Sequence, residues 1–212
     1  MQVTRIIAVR HGETAWNVDS RIQGHLDIAL NTKGVLQAGR VAQALADETV
    51  DAIYASDLLR AWQTASAIAH ATDCPLTAEV GLRERAFGSF EGQSYAAIEA
   101  QWPEESMRWR KRDPDWAPPG GESLLAMRER IAQTASRLAQ RHLGGQIVLV
   151  AHGGVMDQLY RLATGQALQA PRAWHLGNAA INRLLWTPEG FTLVGWGDTR
   201  HLDDLTLDET SV

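Results

Sequence analysis

Ile6-Ile7-Ala8-Val9-Arg10-His11-Gly12-Glu13-Thr14 is an apolar run that stops abruptly at an arginine, a histidine and a glycine. Isoleucine and valine suit a pleated surface, and consecutive apolar residues leave no polar face for water, so the run reads as a buried strand. Arg10 and His11 therefore stand where the strand runs out. Ligands of open α/β sheets bind at the carboxyl ends of strands, where diverging loops leave a crevice. Successive strand residues point to opposite faces, so both side chains reach one ligand only if the chain leaves extended geometry at Arg10, and Gly12 permits that bend.

A second fully apolar run, Gln146-Ile147-Val148-Leu149-Val150-Ala151, ends the same way, in His152-Gly153-Gly154. Between the two, helix and strand patterns alternate. Residues 12 to 31 are polar and rich in turn formers, a long loop over the first strand end, and such loops tend to be functional. From Thr32, the residues Val35, Leu36, Ala38, Gly39, Ala42, Leu45 and Ala46 recur at threes and fours, predicting a helix with that face inward. Ala52-Ile53-Tyr54-Ala55 is a short strand, with Ser56 and Asp57 as caps of a helix through Leu59, Trp62, Ala65, Ala69 and Ala71. Pro75 to Val80 alternates as a further strand and leads through Leu82 into Arg83-Glu84-Arg85-Ala86-Phe87-Gly88.

Residues 89 to 121 break the pattern, with Trp102, Trp109 and Trp116, four prolines and a helical start at Ser94. Glu122 to His142 is the clearest helix, closed by Gly144-Gly145, and a helix through Met156, Leu159 and Leu162 follows the second strand. Ile181 to Trp186 and Phe191 to Trp196 alternate about Pro188-Glu189-Gly190 as a hairpin, and about the last ten residues look frayed. The pattern predicts a single α/β domain over residues 1–212. Its form is a three-layer sandwich with a mostly parallel central sheet flanked by helices and a small cap insertion over about residues 89–121.

Composition sets limits. A chain of 212 residues suits one well-buried domain, and 45% hydrophobic with 21% charged residues is ordinary for a soluble globular protein. No apolar run approaches the roughly 20 residues that span a bilayer, so no membrane partner is expected. The first strand begins too early for a secretory leader, and the single Cys74 cannot form an internal disulfide, which together point to the cytoplasm. A net charge of −5 repels phosphate-rich polymers, arguing against nucleic acid. The basic run Arg108 to Arg112 is flanked by Glu104, Glu105, Asp113 and Asp115 and reads as a solvated face. Apolar surface in the hairpin or cap could support a homodimer, which nothing in the sequence requires.

The two His-Gly strand ends and the Ser-Asp-Leu-Leu-Arg turn can open into one crevice, giving His11, His152, Arg10 and Arg60 a common address. Two arginines beside two histidines make a poor metal site, because guanidinium cannot ligate and repels a cation; no metal is expected. They suit phosphate, which arginine binds in bidentate fashion and whose phosphorus an imidazole can attack. Such a nucleophile presents an unprotonated nitrogen, so its other nitrogen should donate to a carbonyl or carboxylate. The acid that protonates the leaving alkoxide is best sought in Glu84, past a predicted strand end and before Phe87, where apolar surroundings would raise its pKa. The competing reading pairs Glu84 with Arg83 or Arg85 at the surface.

These residues carry a family resemblance. Arg10-His11-Gly12-Glu13-Thr14 with Asn17 resembles the signature of the histidine phosphatase superfamily, the group containing the cofactor-dependent phosphoglycerate mutases. Ser56-Asp57-Leu58-Leu59-Arg60-Ala61 with Gln63-Thr64 is similar to its second motif. Leu82-Arg83-Glu84 with Phe87-Gly88 and Glu91-Gly92 resembles the third, and Val150-Ala151-His152-Gly153-Gly154 the fourth; Gly120-Gly121-Glu122-Ser123 is familiar from its phosphatases. The resemblance implies that His11 becomes phosphorylated, that Arg10 and Arg60 bind the phosphoryl oxygens and that His152 stabilises the transferring group. Glu84 would be the acid and then the base that activates water. Asn17, the loop near Gln23 and Gly24, and Gly153 would complete the phosphate pocket, with no metal or organic cofactor in the phosphatase branch.

The stretch Phe87-Gly88-Ser89-Phe90-Glu91-Gly92 and the short insertion after it look like the phosphatases rather than the mutases, which usually carry a Tyr-Gly-containing stretch and a longer insertion. The expectation is a metal-independent phosphomonoester hydrolase acting on a small phosphorylated metabolite. Phosphoglycerate mutase is the first alternative, and a non-catalytic binder of phosphorylated ligands the second. Substrate choice should lie in residues 89 to 121, where at least two of the three tryptophans are expected to pack rather than recognise. A carboxylate on the substrate would want a cation, which Arg108, Arg110, Lys111 or Arg112 could provide.

Overall fold

In the computed structural model, which describes residues 2–203, the opening run is strand β1 (Thr4–Arg10). It is followed in chain order by β2 (Ala52–Ala55), β3 (Leu76–Ala78), β4 (Gln146–Ala151), β5 (Ile181–Thr187) and β6 (Gly190–Asp198). One sheet contains them all, in the order β3-β2-β4-β1-β5-β6. The pairs β1·β4, β2·β4 and β2·β3 are parallel, whereas β5 runs antiparallel to β1 and β6 antiparallel to β5. The sheet is mixed because β5 enters antiparallel to β1, and the tight turn after it sets β6 antiparallel to β5 in turn.

The helices are α1 (Ala15–Val18), α2 (Thr32–Leu45), α3 (Leu59–Thr72), α4 (Tyr95–Gln101), α5 (Pro103–Arg110), α6 (Leu124–Gln140) and α7 (Gly153–Thr164). Alternation along the strands divides the core in two. Ile7, Val9, Ile53, Val148 and Val150 pack with α2 and α3 on one face, and Ile6, Ala8, Ile147, Leu149 and Ala151 with α6 and α7 on the other. Every residue of β4 is buried, as a strand covered on both faces requires. The three-layer expectation is met.

Several local expectations are corrected. The loop over residues 12 to 31 holds one helical turn, α1, closed by a capping box between Thr14 and Asn17. In α2 the inward residues are Gly34, Gln37, Ala38, Val41, Ala42 and Leu45, while Val35, Leu36 and Gly39 face outward. The cause is the loop. Gln37 accepts the Glu13 amide at 2.8 Å, and Gly34 abuts Gly12 so closely that a Cβ on Gly12 would lie 2.5 Å from the Gly34 carbonyl oxygen. Gly12 thus serves close approach rather than a bend of unusual φ. The strand expected over Pro75 to Val80 is only Leu76–Ala78, giving way to a 3-10 turn at Val80–Leu82.

Residues 89 to 121 form the cap, with Ser94 capping α4. Phe90, Ile22, Ile98 and Trp116 make a separate small core there, against which Trp102 and Trp109 pack. The basic run splits: Arg108 pairs with Asp113 and Arg110 with Glu99 at the surface, whereas Arg112 turns inward to Asp157. Cys74 is free and buried in the α2–α3 core. Most of the tail expected to fray lies outside the described residues. Among the described residues, no helix is long and apolar enough to cross a membrane.

Candidate active site

Register brings the two histidines together. Arg10 pairs with Ala151, so His11 and His152 are the next residues of neighbouring parallel strands, and the His11 amide donates to the Ala151 carbonyl at 3.0 Å. Their ring centroids lie 5.2 Å apart. On the other side of β4, Ala55 pairs with Val150, which puts Ser56 beside His152 and starts α3 one residue before Arg60.

These strand ends open into a cavity of about 400 Å³. Arg10, His11, Asn17, Gln23, Gly24, Arg60, Glu84 and Gly153 all line it. His152 does not line it but lies fully buried against His11.

His11 is 3% exposed, and its Nδ1 lies 2.7 Å from the Gly12 carbonyl oxygen. A carbonyl only accepts, so Nδ1 carries the proton and Nε2 is left with a free lone pair. Burial pushes the His11 pKa well below its ordinary value, and the charges of Arg10 and Arg60 push it the same way. The ring is neutral at physiological pH.

Arg60 is 1% exposed and donates to the carbonyls of Gly24 at 2.8 Å and Leu26 at 2.9 Å, tying the 21–27 loop to α3. Burial lowers its pKa to about 10, so it stays charged at neutral pH. Arg10 donates through Nη1 to the Leu176 carbonyl. The Nε of both arginines is buried without a partner. Buried N–H groups with no acceptor are rare and call for an explanation. Two of them on residues that line one cavity suit a compact oxyanion.

His152 carries another buried nitrogen without a partner. Its Nε2 lies 2.8 Å from Ser56 Oγ, and its Nδ1 is buried without a partner. Ser56 Oγ also accepts the Leu58 amide, and assigning its own proton to His152 Nε2 puts the ring proton on Nδ1. Burial, then Arg60, then His11 hold the His152 pKa well below the ordinary range. Ser56 is therefore not a helix cap; the N-cap of α3 is Leu58, which offers no side-chain bond, and Asp57 instead takes a two-point salt bridge from Arg83.

Glu84 is gripped by backbone rather than by apolar side chains. Its Oε1 accepts the Arg85 amide at 2.8 Å and its Oε2 accepts the Gly154 amide at 2.9 Å, at the N-terminus of α7. Its carbonyl receives His25 Nε2 at 2.8 Å. The surface-pair reading fails, because Arg83 is committed to Asp57 and Arg85 to the carbonyls of Glu122 and Trp116. Asn17 Oδ1 accepts the Thr14 amide and also Asn178 Nδ2, which donates a second time to the His11 carbonyl at 3.0 Å. Among the described residues, no three His, Cys, Asp or Glu side chains are grouped to hold a metal ion.

The sequence missed Ser56 in this role, Asn178, and a second set of lining residues that includes Tyr95, Asp157, Gln158 and Arg172; of the four cations it offered for a substrate carboxylate, Arg112 reaches the cavity, where it is paired with Asp157. Of the tryptophans only Trp109 reaches the cavity wall.

Family comparison agrees with this geometry. The chain belongs to the histidine phosphatase superfamily, branch 1, whose model matches residues 6–199. It is 36% identical over 207 residues to the metal-independent phosphoserine phosphatase of Arabidopsis thaliana, covering 96% of this chain and 85% of that protein. It is 35% identical over 214 residues to the probable phosphoglycerate mutase GpmB of Proteus mirabilis, covering 97% and 98%. The fold superposes on a mycobacterial glucosyl-3-phosphoglycerate phosphatase in complex with VO3 with a TM-score of 0.82 at 31% identity, covering 92% of this chain and 99% of that one.

Proposed function

We propose that the chain, working as one domain, hydrolyses phosphate monoesters of a small metabolite through a phosphohistidine at His11. One observation carries this reading: His11 donates Nδ1–H to the Gly12 carbonyl while its burial between two arginines keeps Nε2 unprotonated and nucleophilic. In the first step Nε2 attacks phosphorus. The N–P bond forms, the ester P–O bond breaks, and its electron pair leaves on the alcohol oxygen, which takes a proton from Glu84. In the second, Glu84 takes a proton from water, whose oxygen displaces His11 and releases inorganic phosphate. Arg10 Nε and Arg60 Nε are the donors for the phosphoryl oxygens, where negative charge must be held, and His152, packed against His11, stabilises the group as it is transferred. Asn17, Gln23, Gly24 and Gly153 complete that pocket. With the cationic charge supplied by guanidinium, no step calls for a metal or organic cofactor.

A mutase outcome differs only in the second acceptor, a substrate hydroxyl in place of water. Similarity to the GpmB protein keeps that reading in view, as does Arg172 at the cavity, which has no carboxylate partner among the described residues. The buried, unpaired thiol of Cys74 suits a reducing compartment, the cytoplasm. A homodimer would most readily cover the exposed Val35 and Leu36 of α2.

The test is incubation with phosphomonoesters including 3-phosphoglycerate in the presence of EDTA, with free phosphate and 2-phosphoglycerate both measured. Free phosphate from wild type, and none from a folded His11→Ala variant, is the expected result. Conversion to 2-phosphoglycerate with little free phosphate would make the enzyme a mutase, and turnover by His11→Ala would remove the nucleophile.

A further inference from the structure

The cavity runs on past its phosphate end along α7. Gly153, Gly154, Asp157 and Gln158 line it from one helix, which sets the last two about 6 Å beyond Gly153 at ~1.5 Å per residue. Beside the guanidinium groups of Arg112 and Arg172, the lining here also carries acceptors. Asp157 Oδ1 and Gln158 Oε1 are both buried without a partner, on residues 4% and 1% exposed.

The state of Asp157 narrows what can meet them. Its Oδ2 already receives Arg112 Nη2 at 2.8 Å and Arg161 Nε at 3.0 Å. Both guanidinium groups are fixed by further bonds, Arg112 to the Leu168 carbonyl and Arg161 to those of Ala167 and Ala170. Two cations on one carboxylate leave the surroundings positive, so an ammonium at Oδ1 would be repelled at close range. A neutral donor would not. The lining also holds two aromatic rings, those of Phe87 and Trp109, with centroids 5.7 Å apart.

We propose that Asp157 and Gln158 accept hydroxyl groups of the leaving alcohol, so that the preferred substrates are phosphate monoesters of polyhydroxylated alcohols such as sugars, rather than of amino alcohols or plain alkyl alcohols. A site built around buried acceptors discriminates strongly against an analogue that leaves them unpaired. The proposal rests on the hydrolase reading of the same cavity.

Glycerol 3-phosphate and n-propyl phosphate differ only in the hydroxyls concerned. The expected ratio of their kcat/KM values is at least about tenfold in favour of glycerol 3-phosphate, with ribose 5-phosphate also ahead of phosphoserine. Gln158→Leu should cut the glycerol-to-propyl ratio by about tenfold. Asp157→Asn should do the same, but it also loosens two salt bridges, so Gln158→Leu is the deciding variant. The proposal is overturned by a glycerol-to-propyl ratio near one, by phosphoserine as the better substrate, or by a Gln158→Leu variant that slows both esters alike. Calorimetric affinities on His11→Ala separate the two readings. If wild type releases no phosphate yet the variant binds glycerol 3-phosphate about tenfold more tightly than propyl phosphate, the hydrolase reading falls and the hydroxyl site stands. Equal affinities would overturn the hydroxyl site itself.

Discussion

Gly154→Ala isolates the placement of Glu84 from its presence. A Cβ built on Gly154 lies 2.1 Å from Glu84 Oε1, 3.1 Å from its Cδ and 2.9 Å from Met127 Cε. Ordinary van der Waals contact begins near 3.4 Å, so the carboxylate oxygen has to retreat by about 1.3 Å. What moves is the far end of two flexible side chains, and alanine is the better helix former by up to about 1 kcal/mol, so the fold should survive with its Tm shifted by only a few degrees. Catalysis should not survive as well, since a ~1 Å misplacement of a reacting group costs on the order of 100-fold. The loss should fall on the step Glu84 serves. With an alkyl phosphate, whose alkoxide needs a proton to depart, kcat/KM should drop about 100-fold, and with p-nitrophenyl phosphate much less. The assay is that pair of substrates on both proteins, with thermal unfolding alongside. An unchanged alkyl-to-aryl ratio in a folded variant would refute Glu84 as the acid. Gly12→Ala is the contrasting case: there the added carbon meets the Gly34 backbone at 2.5 Å, which cannot rotate away, and the expected outcome is loss of stability of about 2 kcal/mol or more.

Stability should depend on pH through the two buried histidines. His11 and His152 have pKa values depressed in the fold, so below about pH 6.5 the unfolded chain binds protons that the folded one refuses, and stability is lost as pH falls. Each histidine should contribute about 1.4 kcal/mol per pH unit below that point, with a smaller share from the half-buried His201. Urea unfolding at pH 7.5, 6.5 and 5.5 checks it, and a flat profile would mean that these rings are charged or exposed. Ser56→Ala should remove the proton donor that fixes the His152 tautomer and lower kcat/KM about tenfold, with Ser56→Thr restoring it. Ring ¹⁵N shifts of His152 report the tautomer directly, and shifts unmoved by Ser56→Ala would refute the assignment.

The catalytic end of the cavity was legible because it is built from strand ends. Two apolar runs that each stop at His-Gly announce both the buried parallel pair and the residues at its carboxyl edge, and parallel register then does the rest: level strands deliver His11 and His152 side by side. Ser56 was misread for a physical reason. A serine after a strand and before a helix serves equally well as an N-cap or as a partner for a neighbouring strand's side chain, and only the β2–β4 pairing, which no local pattern encodes, decides between them. The rotation of α2 was misjudged likewise. Val35 and Leu36 satisfy the helical period, but the contacts of Gly34 and Gln37 with the Gly12–Glu13 backbone outweigh the burial of two aliphatic side chains. The leaving-group end was invisible for a deeper reason. Asp157 and Gln158 interrupt the apolar face of α7, between Met156 and Leu159, and sequence periodicity registers such residues only as poor fits to a stripe. Arg112 and Arg172 come from segments with no period at all. The phosphate end answers to chemistry common to every phosphate monoester, so it is laid down in motifs. The other end answers to one alcohol, and its residues meet only through tertiary contacts, so its specificity has to be read from which buried atoms still lack a partner.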